Sequence, residues 1–165
     1  MPRIKPIKPK QGQESVWDYP RPPRAEASKK RIRVVFNGVT LIDSTHTVRV
    51  LETSHPPVYY IPQSDIKMEH FTAVTRQTFC EFKGVASYWT IKIGEKTLEN
   101  GAWAYKDPHG GYEAIKDYIA VYPGKMDACY VDDEKVQAQV GDFYGGWITS
   151  DIVGPFKGGT GTYGW

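Results

Sequence analysis

The side chains most suited to chemistry lie in one short segment, residues 78–83. On an extended strand successive side chains point to opposite faces, so Cys80 is predicted on one face and Glu81 and Lys83 on the other. A pocket would desolvate the carboxylate and the ammonium and shift their pKa values, as acid–base catalysis requires. On an open surface the same two groups would form only an ion pair, and both interpretations stay open.

The thiol of Cys80 also has two interpretations. A catalytic or redox-active thiolate needs a basic neighbour and some exposure to solvent. A free cysteine on the inward face of a strand is instead a small core residue, and burial is the prediction here. Cys80, Glu81 and Lys83 are the candidates for catalysis, and none is assigned a step.

A second group of candidates lies in and before a stiff loop. Arg49 and Glu52 fall at the predicted end of a strand, and two prolines follow His55. A rigid loop that presents a histidine and an acid is suited to ligand binding. Ser54 and His55 do not form a catalytic pair, because adjacent side chains on an extended chain point in opposite directions.

Aromatic residues in the predicted strands supply the third group. Tyrosine and tryptophan rings are suited to stacking on a planar or cationic ligand, although the same side chains would also fill a core. Together the three groups predict a pocket for a small planar or anionic molecule. The predicted ligand-binding residues are Arg49, Glu52, His55, Tyr60, Glu81, Lys83, Tyr88 and Tyr105.

The sequence predicts neither a metal nor a cofactor. Its two cysteines, Cys80 and Cys129, are far apart, and its four histidines lack the spacing of metal ligands. The glycine run at 158–161 lacks the Gly-Lys-Ser/Thr of a phosphate-binding loop. Free thiols, no apolar run of membrane-spanning length and no hydrophobic signal segment predict a cytoplasmic protein with no membrane partner.

The candidates must be positioned by β-strands. Residues 31–36 and 39–42 flank Asn37-Gly38, a pair that supplies the positive φ angles of a two-residue hairpin turn. Further alternating segments predict more strands, and apolar residues at helical spacing predict a helix at about 111–119. The predicted fold is mainly β, a small antiparallel sheet or barrel-like domain of about eight or nine strands with one short α-helix, flanked by extended arms.

Composition divides the chain into a basic arm at 1–30, a β-rich domain at 31–140 and a tail at 141–165. Residues 1–33 carry ten Lys and Arg against three Asp and Glu, whereas the remainder carries eleven against sixteen. Prolines predict an extended or disordered arm, and the aromatic side chains of the glycine-rich tail predict packing on the domain or on a partner subunit. Self-association through the arms is therefore predicted. Nucleic acid is not favoured, because the arm lacks interleaved aromatic residues and the body is acidic.

Three motifs carry a resemblance to a known family. They are Glu52…Tyr59-Tyr60-x-Pro62, Cys80-Glu81-Phe82-Lys83-Gly84-x-Ala86-x-Tyr88-Trp89 and Ala102-Trp103-x-Tyr105-x-x-Pro108. In this order and spacing the sequence resembles the bacterial and fungal family of domain of unknown function 427. The resemblance spans about residues 32–136, and both arms look similar to those of the longer bacterial members.

The family is sometimes labelled nucleotidyltransferase-like, which implies paired aspartates that hold Mg²⁺ beside a Gly-Ser turn. The only adjacent aspartates, Asp132-Asp133, fall in a predicted hairpin turn. Three functions remain. The first is a module that binds a small molecule, and the second is an enzyme that uses Glu81 and Lys83 or transfers a nucleotidyl group. The third is a homo-oligomeric interaction protein. The sequence favours the binding module and does not identify the ligand.

Overall fold

The structure is a computed structural model that describes residues 4–141 and 144–165, and its regular elements are mainly strands. The strands are β1 (Glu14–Ser15), β2 (Arg24–Ser28), β3 (Ile32–Phe36), β4 (Val39–Ser44), β5 (Thr47–Leu51), β6 (Val58–Tyr60), β7 (Phe71–Cys80), β8 (Gly84–Ile93), β9 (Lys96–Tyr105), β10 (Ile119–Val121), β11 (Ala128–Val131), β12 (Glu134–Lys135), β13 (Gln137–Ala138), β14 (Trp147–Ile148) and β15 (Ile152–Val153). Single turns of 3₁₀-helix lie at Val16–Asp18, Gln63–Asp65, Met68–His70, Glu113–Ile115 and Pro123–Lys125. The predicted mainly β fold is confirmed.

Three antiparallel sheets form the body of the molecule. Their strand orders are β10-β9-β8-β7, β12-β11-β3-β4 and β2-β5-β6. A bridge between Ile61 and Ile119 joins the end of β6 to β10, so the three-stranded sheet meets the edge of the sheet that contains β7 to β10. Within the described residues these sheets do not close into a barrel.

The hairpin of β3 and β4 forms as its sequence predicts. Asn37 and Gly38 have φ angles of 47° and 76°, the positive values that this tight turn requires. Ile32, Val34 and Phe36 alternate along β3 and are fully buried in the largest of the three hydrophobic clusters of the described residues. The alternation of apolar residues therefore sets which face of β3 packs into the core.

The predicted helix at about 111–119 is wrong. The described chain there makes one 3₁₀ turn at Glu113–Ile115, and β10 begins at Ile119. Gly111 has a φ of 97° and Asp117 a φ of 60°, so the backbone leaves the helical region on both sides of the turn. The apolar spacing instead reflects burial on irregular chain, since Ile115 and Ile119 are both fully buried.

Both terminal segments lie against the domain within the same chain. β2 pairs with β5 over five residues, and β1 pairs with β15 in the parallel sense. Trp147 in β14 is buried in the same cluster as β3. None of the helical turns in the described residues has the length and hydropathy needed to cross a membrane.

Candidate functional site

A cavity of about 420 Å³ lies between β5 and β6 on one side and β7, β8 and β9 on the other. This volume falls within the range of small-molecule sites. Seven of the eight predicted ligand-binding residues line the cavity. They are Glu52, His55, Tyr60, Glu81, Lys83, Tyr88 and Tyr105.

The structure does not place Arg49 with the other seven. Val48 and Val50 pack on the cavity side of β5, and Arg49 therefore points to the opposite face of the strand. There its guanidinium lies 2.6 Å from Glu14 Oε1 and 3.0 Å from Glu26 Oε2. These two carboxylates neutralise Arg49 outside the cavity.

Arg49 borders a larger, more open cleft of about 670 Å³, in which four of the charged side chains besides Arg49 are held in ion pairs with one another or with Arg49. Besides the pairs of Arg49, Lys30 Nζ lies 2.6 Å from Asp151 Oδ2. A charged ligand in the cleft would have to break these ion pairs. The free energy lost in breaking them would offset the gain from the ligand's own charge interactions. The smaller aromatic cavity is therefore the candidate functional site.

Aromatic side chains of β6 and β9 form the floor of the cavity. Trp103 Nε1 donates a hydrogen bond to Tyr60 Oη at 3.2 Å, and the Tyr105 ring centroid lies 6.2 Å from that of Tyr60. Burial raises the pKa values of Tyr60 and Tyr105 above the usual range of a phenol. Both tyrosines are therefore neutral at physiological pH and present flat apolar surface with a polar edge.

The predicted alternation of residues 78–83 ends at Cys80. β7 stops there, residues 81–83 form a turn, and Gly84 begins β8 with a φ of 106°. The backbone N–H of His109 donates to the carbonyl of Lys83 at 2.9 Å and fixes this turn. Glu81 is exposed while Lys83 is partly buried, so they do not act as a pair on one strand face. Cys80 is partly exposed at the cavity wall, in contrast to its predicted burial.

The ammonium of Lys83 lies over the aromatic floor. Lys83 Nζ is 5.8 Å from the centroid of the Tyr105 ring, and Cys80 is one of the groups that influence its pKa. Burial is the largest influence and lowers the pKa of Lys83, polar neighbours that include the Glu52 carboxylate raise it, and the pKa lies above its ordinary value. Lys83 therefore carries a positive charge at neutral pH.

Glu52 and His55 form the polar rim of the cavity. Arg21 from the N-terminal arm lies 3.2 Å from Glu52 Oε2, and His55 Nε2 lies 3.5 Å from the same oxygen. Burial lowers the pKa of His55 to about 4, and the cations Lys157, Arg21 and Lys83 add to this effect against the opposing Glu52. His55 is therefore neutral at physiological pH.

Part of the cavity wall comes from the C-terminal tail. The sequence patterns do not predict this contribution. Tyr144, Gly145 and Lys157 line the cavity, and Tyr144 lies edge-on to the ring of His55 at a centroid distance of 5.4 Å. The aromatic composition of the tail indicates that it packs. The surface that it covers depends on contacts with residues far away in sequence, which local patterns do not specify.

Gly145 allows the tail to approach the floor of the cavity. A Cβ atom at this position would overlap the indole ring of Trp103. Gly145→Ala should therefore lower the free energy of unfolding by about 1–3 kcal/mol, as overpacking of a filled site does. Urea unfolding followed by fluorescence measures the change.

Gly159→Ala is the matched control for this prediction. Among the described residues, apart from its chain neighbours, no heavy atom lies within 4 Å of the position that a Cβ would take at that glycine, and its backbone needs no positive φ. Equal stability of the two variants would contradict the close approach of the tail to Trp103.

The adjacent aspartates, which the sequence places in a hairpin turn, lie away from the cavity. Asp132 and Asp133 occupy the turn between β11 and β12, and the side chain of Asp133 is fully exposed. Across residues 4–141 and 144–165, no group of three or more His, Cys, Asp and Glu side chains is arranged to hold a metal ion.

Comparison with known proteins gives one family. The model of the family described as domain of unknown function 427 matches residues 24–132. No curated protein matches the chain. The matched segment includes β2 to β11 and most of the cavity wall, whereas Tyr144, Gly145 and Lys157 follow it.

Proposed function

The chain belongs to the family of domain of unknown function 427, and we propose that it is a binding protein. The residues that line its cavity favour a small planar molecule that carries a negative charge. The observation that carries this proposal is the position of Lys83. Its ammonium lies at an aromatic cavity wall, and among the described residues no carboxylate is within ion-pair distance of it. A ligand anion would supply that missing charge.

The rest of the cavity supports the same ligand class. Tyr60, Trp103 and Tyr105 offer flat faces and edges for a planar group, and such contacts contribute beyond simple burial of apolar area. His55 is neutral and Glu52 is paired with Arg21, so neither opposes an anion strongly. A charge-assisted hydrogen bond in a partly desolvated site is stronger than one in water.

Binding is tested with 2-naphthoate, a planar monoanion. Ligand binding to the folded state should raise the melting temperature by mass action. Lys83→Met keeps most of the side-chain length but removes the charge, and it should weaken binding by about 10- to 100-fold, the loss expected for a hydrogen bond between charged groups. Isothermal titration calorimetry measures the affinity.

Lys92→Met is the control, because Lys92 is an exposed lysine on β8 outside the cavity. Its affinity for 2-naphthoate should equal that of the parent protein. An unchanged affinity in Lys83→Met, or no stabilisation of the parent by any planar anion, would contradict the proposal.

The alternatives have less support. Acid–base chemistry by Glu81 and Lys83 is weakened because Glu81 is exposed in the turn after β7. Nucleotidyl transfer is weakened because the adjacent aspartates, Asp132 and Asp133, do not line the cavity. Self-association remains a separate proposal, tested by the mass of the protein in solution.

The free thiols of Cys80 and Cys129 suit a cytoplasmic protein.

A further inference from the structure

The C-terminal tail places a second lysine at the cavity. Lys157 lies in the segment Gly154-Pro155-Phe156-Lys157-Gly158, after the residues that the family model matches. It lines the same cavity as Lys83. Lys83 belongs to the domain and Lys157 to the tail, so the cavity receives its two ammonium groups from different parts of the chain.

The backbone of Lys157 is held on both sides. Its N–H donates to the carbonyl of Ser54 at 2.8 Å, and its carbonyl accepts from Gln139 Nε2 at 2.7 Å. Gln139 is buried, and its Oε1 accepts from the N–H of Gly146 at 3.1 Å. The side-chain amide of Gln139 therefore holds the backbone at both Gly146 and Lys157. This clamp fixes the position of the Lys157 backbone, from which the side chain extends to the cavity.

The ammonium of Lys157 keeps donors available. It donates to the carbonyl of Trp165 at 3.2 Å and lies 6.0 Å from the ring centroid of Tyr144. An ammonium has three N–H donors, so two are not used by this bond. Among the described residues no Asp or Glu side chain lies within ion-pair distance of Lys157.

Two carboxylates, Glu52 and Glu81, line the cavity together with the two lysines, and neither lies within ion-pair distance of Lys83 or Lys157. Glu52 is the carboxylate of the rim, and Arg21 lies 3.2 Å from it. Glu81 is exposed in its turn, and the phenols of the floor are neutral. We propose that the ligand carries two negative charges, one received by Lys83 and one by Lys157, and that Lys157 sets the preference for such a dianion.

This inference rests on the proposed binding function and is tested with a matched series of probes. The probes are 2-naphthoate as the monoanion and the 1,4-, 2,3- and 2,6-naphthalenedicarboxylates as dianions of different span. At least one dianion should bind the parent protein about tenfold or more tightly than 2-naphthoate, because it gains a second charge-assisted contact. Calorimetry at one fixed ionic strength measures all four affinities.

Lys157→Met should remove the preference for the dianion, because the lost contact serves the second charge, and should weaken 2-naphthoate binding less than dianion binding. Lys157→Arg should retain the preference. Lys83→Met should weaken both classes. Gln139→Leu keeps both lysines but removes the clamp, so a reduced preference is expected there as well.

The outcomes separate the two proposals. Binding of 2-naphthoate without any gain for a dianion, or a preference that survives Lys157→Met, would overturn the inference and leave the proposed function standing. If none of the four probes binds the parent, the proposed function and the inference both fail. Lys92→Met is again the control and should behave as the parent with every probe.

Discussion

Trp147→Ala is expected to lower the free energy of unfolding by about 3–5 kcal/mol, the range for removing a large aromatic residue from a core. Trp147 is 1% exposed and belongs to the hydrophobic cluster that contains Phe36 of β3. Its ring centroid lies 5.0 Å from that of Tyr59, and its backbone N–H donates to the carbonyl of Pro57 at 2.8 Å. The C-terminal tail is thus part of the core of the domain.

Chemical denaturation in urea measures this effect, with fluorescence and far-ultraviolet circular dichroism as independent probes. The control is Tyr163→Ala, because Tyr163 is an aromatic residue of the same tail that is 99% exposed. Its stability should stay within about 0.5 kcal/mol of the parent, as for other surface substitutions. Equal effects of the two substitutions would contradict the packing of Trp147 in the core.

The parts of the fold that local rules determine could be predicted from the sequence. Asn37-Gly38 favours positive φ angles whatever the rest of the chain does, and β3, which precedes the turn, alternates between fully and partly buried side chains. The predicted helix at about 111–119 is wrong for the converse reason. Buried residues at spacings of three and four also occur on irregular chain. The positive φ angles at Gly111 and Asp117 are incompatible with a helix, and the spacing of apolar residues does not reveal them.

The candidate site was partly predictable because its aromatic residues lie on strands that border one cavity. Tyr60, Tyr88 and Tyr105 lie on three different strands and all line the cavity. Arg49 is on the other face, and a shift of one position in the expected pattern is enough to reverse a side chain. The wall made by Tyr144 and Lys157 depends on the path of the tail, which no local pattern specifies.

The stability of the protein should fall by about 2 kcal/mol between pH 7 and pH 5 because of one residue, His55. The pKa of His55 is about 4 in the folded protein against an ordinary value of 6.5, and its side chain is 15% exposed. Below pH 6.5 the unfolded chain binds a proton that the folded protein binds only near pH 4. Linkage then requires stability to decrease as the pH falls through this window.

The physical cause is that protonation would place a cation in a partly buried site beside Lys157, Arg21 and Lys83, with only Glu52 to oppose them. The carboxylates of Glu14 and Asp151 have lowered pKa values, so they support the fold above their ordinary values of 4.5 and 3.8 and lose that contribution only at lower pH. Above pH 5 their effect is therefore small compared with that of His55.

His55→Gln keeps a neutral polar side chain and should remove most of the loss between pH 7 and pH 5, because glutamine does not titrate. The measurement is the free energy of unfolding in urea at pH 7, 6 and 5 for the parent and the variant. His46→Gln is the control, since the side chain of His46 is 78% exposed, and it should lose stability as the parent does. If His55→Gln loses as much stability as the parent across this range, His55 is not the neutral histidine at the rim of the cavity, and the electrostatic argument for an anionic ligand loses one of its supports.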